Sequence, residues 1–314
     1  MRTNVSLLVL GAIFLGACGS SSGNTPAPCG SGGPLSGPGG EFNGPYMERS
    51  YTGADGVGRK WLLRLPRDYE PGEPTDVIFN FHGSGSSAEA QLVYGDLTEQ
   101  ADRDRIILVV PDANKVFPDR NNGLANYWDS AWEANLRVRD FDVDYVLDLV
   151  ETVESEYCTV DFQATGMSAG GDMVSALQCL EETPFSGFAP VTYMYYNQAE
   201  CGAAPPRPLI YFHGDADFVV PINGSGPPWN DPPVSEAMAA WANHNGCREG
   251  PVEERISNEV LRYYWEGCAA ATEWYLVEGG GHTWPGALDA GLGYTTNDIS
   301  ASELIREFFI THRP

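Results

Sequence analysis

Short unbroken apolar runs alternate with amphipathic stretches along this chain. Val77-Ile78-Phe79-Asn80-Phe81, Ile106 to Pro111, Val160 to Thr165, Leu209-Ile210-Tyr211-Phe212 and Thr272 to Val277 each read as a strand. Runs of this length suit strands covered on both faces, as in a parallel sheet. Between and after them, Phe141 to Tyr157, Asp172 to Leu180, Ala237 to Asn245 and Ser302 to Thr311 read as helices, while Tyr46 to Tyr51 and Lys60 to Leu65 are earlier strands. The order predicts an α/β fold in which one domain, residues 41–314, builds a mostly parallel central sheet flanked by helices. There is no internal repeat.

The amino terminus has a different character. Arg2 precedes an apolar run from Val5 to Leu15, too short for a comfortable membrane span, which ends in Leu15-Gly16-Ala17-Cys18. This resembles a bacterial lipobox, so residues 1–17 are expected to be a lipoprotein signal peptide and Cys18 the lipidated residue; a plain secretory peptide is the alternative. Residues 18–40 are rich in Gly, Ser and Pro, a composition that cannot bury a core and behaves as a flexible tether. Anchoring by lipid is the only membrane contact expected. With 18 basic and 43 acidic residues the net charge is −25, which makes nucleic acid an unsuitable partner and disfavours polyanionic polymers. Neutral substrates fit better. A saline habitat would account for the acidity equally well.

Chemistry is concentrated in three loops. Gly166-Met167-Ser168-Ala169-Gly170 lies between a strand-like and a helix-like run, the setting of a nucleophile elbow, in which glycines let the chain turn tightly beneath an exposed serine. The motif alone is weak, because Gly19-Ser20-Ser21-Ser22-Gly23 matches it with no strand before and no helix after. Context selects Ser168. A serine nucleophile needs an acid and a base, expected later in the chain in that order. The strand at Leu209 ends in His213-Gly214-Asp215-Ala216-Asp217, offering two carboxylates that spacing alone does not separate; one should face the base while the other caps the turn. The strand at Thr272 runs into Gly279-Gly280-Gly281-His282, which makes His282 the candidate base. Among the other histidines, His82 and His213 follow buried strands and suit structural support, while His244 and His312 suit a satisfied helix position and a solvated terminus. For the oxyanion hole, the amide of Ala169 follows the nucleophile, and the loop His82-Gly83-Ser84-Gly85 supplies a second amide, that of Ser84 or Gly83.

On these residues the chain resembles the secreted feruloyl esterase and polyhydroxybutyrate depolymerase family of α/β-hydrolases, from about Cys29 onward. The marks are His82-Gly83, Cys158-Thr159-Val160-Asp161 leading to Ala164 through Gly171, His213 through Asp217, and Gly281-His282-Thr283-Trp284-Pro285-Gly286. The resemblance implies Asp217 as the triad acid. One departure is Val191 to Tyr196, bulkier than the small residues usual there. Seven cysteines less Cys18 leave six, an even number that in an exported protein suggests three disulfides. A strand rising to the elbow and a helix returning over about the same 20 Å would bring Cys179 beside Cys158. Cys247 and Cys268 close a short loop and match a pair in that family. Cys29 and Cys201 remain to staple the end of the tether, as the family also implies.

The expected function is that of an exported serine esterase, surface-anchored or secreted, with Ser168, Asp217 and His282 as triad and no metal or organic cofactor. Its substrate is expected to be a polymeric, neutral ester, with feruloyl or related acyl esters of plant-wall polysaccharide first and polyhydroxybutyrate as the alternative. Trp128, in an apparent loop with Tyr127 and Trp132, Tyr193 after the strand next to the elbow, and Trp284 beside the base are candidate substrate contacts, against ordinary core packing. No obligate protein partner is evident. A non-catalytic surface binding lipoprotein is the alternative from another class, and a peptidase a further one.

Overall fold

Apolar runs with no polar face need cover on both sides, and the computed structural model supplies it. It describes residues 41–42, 46–53, 56, 58–113, 115–118, 124–128, 141–196, 198–226 and 230–313. The predicted signal peptide, Cys18, the tether, Cys29 and Trp132 lie outside the described residues.

In chain order the elements are β1 Glu41–Phe42, β2 Tyr46–Thr52, β3 Gly58–Arg64, β4 Thr75–Phe81, α1 Ala88–Tyr94, α2 Thr98–Asp104, β5 Ile106–Pro111, β6 Lys115–Pro118, β7 Leu124–Tyr127 and α3 Phe141–Glu156. They continue with β8 Thr159–Met167, α4 Ala169–Gln178, β9 Phe185–Val191, α5 Gln198–Cys201, β10 Leu209–Gly214, α6 Val234–His244, β11 Glu249–Arg255, β12 Val260–Glu266, β13 Thr272–Val277 and α7 Ala301–Thr311. Eleven strands form one sheet in the order β1-β2-β3-β5-β4-β8-β9-β10-β13-β12-β11. Its centre, from β5 to β13, is parallel throughout, and antiparallel strands finish both edges. This is the arrangement that the apolar runs predict.

Strand alternation sends neighbouring residues to opposite faces. Val77 and Phe79 join the core beneath α3, α4 and α6, contributed by Leu149, Val174 and Trp241 among others. Ile78 faces the opposite core, where Leu97 beside α2 and Ile305 and Phe309 of α7 cover the sheet. With all seven residues of β4 buried, no polar face could have been read from its pattern. By contrast β11, at the outer edge, is exposed at every position but Val252. The β11–β12 hairpin and the small β6–β7 hairpin extend the expected element list, and Tyr127 lies in β7 rather than in a loop.

The disulfides correct one expectation. Cys179 pairs with Cys201, at a Cα–Cα separation of 4.1 Å, and not with Cys158. Cys201 is therefore not the partner of Cys29. The reason is length: nine residues of β8 extend about 30 Å, whereas ten residues of α4 return only about 15 Å. Cys179 thus stops well short of the foot of the strand, where the end of α5 meets it. Cys158 is also disulfide-bonded. Cys247 and Cys268 pair as expected. No helix among the described residues is long and apolar enough to cross a membrane.

Candidate active site

The parallel strands deliver the candidate residues to one edge of the sheet. β8 ends at Met167, so Ser168 stands at the strand end, and α4 begins with the next residue. Ser168 adopts φ 55°, ψ −119°, left-handed backbone that a non-glycine residue takes only when its surroundings enforce it. The Ser168 N–H donates to Val191 O at 2.9 Å, and Ser168 O accepts from Asp172 N–H at 3.0 Å. At Gly170 a Cβ would lie 2.2 Å from Phe81 O. The elbow helix can therefore press against the end of β4 only with glycine there. Beside the serine, Thr192 is held at φ 63°, a strained position with no sequence signal.

The loop after β4 abuts this turn, since a Cβ at Gly83 would sit 3.4 Å from Ser168 Cβ. Buried His82 holds that loop: its Nδ1–H donates to Gly83 O at 2.7 Å and its Nε2 accepts from Ala113 N–H at 2.9 Å. Among the described residues neither the Ser84 nor the Ala169 N–H has a protein acceptor. Two unpaired amides thus flank the serine, one of them at the N-terminus of a helix, where the dipole favours negative charge.

Asp217 and His282 meet. His282 Nδ1–H donates to Asp217 Oδ2 at 2.7 Å, and the Asp217 side chain is wholly buried. Its Oδ1 accepts the N–H groups of Val219 and Val220, each at 2.8 Å. Asp215 is exposed and instead accepts the Gly279 N–H at 2.6 Å. Spacing left these two carboxylates unseparated; the geometry separates them. The acid and base loops touch at Gly214, where a Cβ would lie 2.2 Å from Gly280 O. His282 is buried and anchored by its N–H to Leu292 O. No hydrogen bond joins Ser168 to His282 among the described residues, as is common before substrate binds.

His213 supports the acid loop. Its Nε2–H donates to Val220 O at 2.9 Å while its Nδ1 accepts from the Tyr211 hydroxyl. Burial pushes its pKa below the ordinary histidine value, against the pull of Asp217 at 3.6 Å. A neutral His213 leaves the Asp217 charge to His282. The unfolded chain binds a proton on this histidine near pH 6.5, so its contribution to stability is present above that pH and is lost as pH falls below it. Melting curves at pH 7.5 and 5.5 are therefore expected to show a smaller gap for His213→Gln than for the unchanged chain; an equal gap would remove this role.

Two of the three aromatic candidates are placed differently from expectation. Trp128 is buried, its indole N–H donating to His82 O at 2.8 Å, so it braces the loop beside the serine. Trp284 is buried against α7, donating to Ser302 Oγ at 3.1 Å. Both lie in the core because their N–H groups find partners there, which corrects the expectation of a cleft position. Tyr193 is half-buried and donates to Asp231 at 3.0 Å. Burial, together with the charges of Asp172 and Asp231, raises its pKa and keeps it protonated. Among the described residues no cluster of three metal-ligating side chains occurs.

This sheet order, elbow and pair of loops define the α/β-hydrolase fold. No family model matches the chain. It is 26% identical over 252 residues to "Probable feruloyl esterase C" of Aspergillus niger, covering 76% of this chain and 83% of that protein. It is 28% identical to "Putative esterase NocK" of Nocardia uniformis, covering 76% and 74%. Among solved structures, acetyl xylan esterase from Aspergillus awamori superposes with a TM-score of 0.57 at 14% identity, covering 76% of this chain and 94% of that one. The chain is a carboxylic ester hydrolase on this fold.

Proposed function

We propose that this protein is an exported serine esterase acting through an acyl-enzyme on feruloyl or related acyl esters of plant-wall polysaccharide. The observation that carries the reading is the buried Asp217–His282 pair, 2.7 Å apart, on the strand edge that presents Ser168 in strained backbone. His282 Nε2 accepts the Ser168 proton as Oγ attacks the ester carbonyl. The tetrahedral oxyanion rests on the amides of Ala169 and Ser84. His282 then protonates the departing alcohol, water attacks the acyl-enzyme with the same base, and carboxylic acid leaves. Asp217 fixes the His282 tautomer and stabilises the imidazolium.

Relatives carrying the feruloyl esterase name support the acyl preference, and the net charge of −25 supports neutral over polyanionic polymers. Disulfides support an oxidising compartment, and the Leu15-Gly16-Ala17-Cys18 motif supports export with Cys18 as the anchor. Hydrolysis of methyl ferulate, acetylated xylan, amorphous polyhydroxybutyrate and p-nitrophenyl esters side by side tests the reading. Methyl ferulate is expected to be cleaved with the highest kcat/KM among the natural-type esters; preference for the polyester would overturn it.

A further inference from the structure

We infer that Phe218 and Tyr294 form an aromatic platform on the alcohol side of the scissile bond, where the sugar ring carrying the ester stacks. The inference rests on the proposed function and deepens it. Phe218 directly follows the candidate acid and is 67% exposed, although the amides of the next two residues, Val219 and Val220, are tied to Asp217. Tyr294 is 50% exposed, although its hydroxyl donates to both carboxylate oxygens of Glu259 at 2.8 Å. Both rings stay open to water while hydrogen bonds hold the segments that carry them, so each offers a face to a ligand at a fixed position.

Gly293 links the two rings to the base. The point where its Cβ would stand is 3.7 Å from Phe218 Cε1 and 2.8 Å from Gly281 Cα, the residue before His282. The Tyr294 carbonyl accepts the Gly281 N–H at 2.9 Å. The platform therefore rides on the two loops that hold acid and base. In ester cleavage the histidine hands its proton to the leaving oxygen, so the alcohol must lie on the side of His282, and the acyl group on the other.

Aromatic faces suit the C–H face of a sugar, and carboxylates beside them suit its hydroxyls. Asp215 and Asp289 are both exposed on these loops. Among the described residues each has a single hydrogen bond through Oδ1, to Gly279 N–H and Gly291 N–H respectively, which leaves Oδ2 as an acceptor for a ligand hydroxyl. A fixed platform also spares the entropy of ordering it on binding.

The test compares kcat/KM on methyl ferulate, butyl ferulate and a ferulate ester of arabinose. Phe218→Ala and Tyr294→Ala are each expected to lower the ratio of sugar ester to methyl ester about tenfold, while Phe218→Tyr keeps it near the original value. Equal losses on all three esters, or no change in the ratio, would overturn the platform. A loss on butyl ferulate matching that on the sugar ester would overturn the sugar assignment. An unchanged chain inactive on methyl ferulate would instead strike the proposed function, and the platform would fall with it.

Discussion

Ser168→Ala is expected to lose at least about a thousandfold of the turnover of p-nitrophenyl acetate. The nucleophile is set by backbone geometry as much as by its hydroxyl: φ 55° at the strand end, with N–H and C=O both engaged, aims Cβ outward over the loop at Gly83. Alanine keeps that turn and removes only the attacking oxygen. The residual rate then reports what the amides of Ser84 and Ala169 achieve with water. A fluorophosphonate probe should label Ser168 in the unchanged chain and nothing in the variant. Near-original turnover, or label at Ser84, would show that another serine attacks.

The second large effect concerns the acid. Asp217→Asn should cost three to four orders of magnitude in kcat, roughly the loss seen when a triad acid becomes an amide. The carboxylate accepts three hydrogen bonds at once, from Val219, Val220 and His282. An asparagine can still serve two backbone amides with its carbonyl, but then turns its NH2 toward His282. That favours the tautomer with hydrogen on Nε2, which cannot accept the serine proton. Asp215→Asn loses only part of a surface contact with Gly279 N–H and should reduce kcat severalfold at most. Similar kinetic damage from both variants would defeat the assignment.

The fold was legible because its signals are local. Ile106 to Pro111 and Thr272 to Val277 match their strands at both ends, since a buried parallel strand is a continuous apolar run ended by turn residues. The elbow was legible for the same reason, strand, Gly-X-Ser-X-Gly and helix being contiguous. Where the answer depended on distance through space, the sequence ran out. Asp215 and Asp217 leave one strand with identical chemistry, and only the fold of the loop turns one inward. Cys179 was misassigned because the true extent of β8 was not visible in its apolar stretch, which continues through Gly166 and Met167. Trp128 and Trp284 are indistinguishable by composition from cleft aromatics, because an indole bonds a core carbonyl or hydroxyl as readily as it stacks on a ligand. Phe218 went unnoticed, although an apolar triplet directly after the acid is a usable signal.

The outer strand β11 bears on behaviour at high concentration. An unpaired sheet edge is a template on which another chain can add a strand, and long flat edges seed aggregation. Here the exposed edge carries Glu249, Glu253 and Glu254, and Pro251 has no amide proton to offer an incoming backbone. Three carboxylates against the one guanidinium of Arg255 give the strand a net negative charge, so two copies meeting along this edge would repel each other. The sheet is thereby terminated chemically, so crowded molecules can stay separate along this edge.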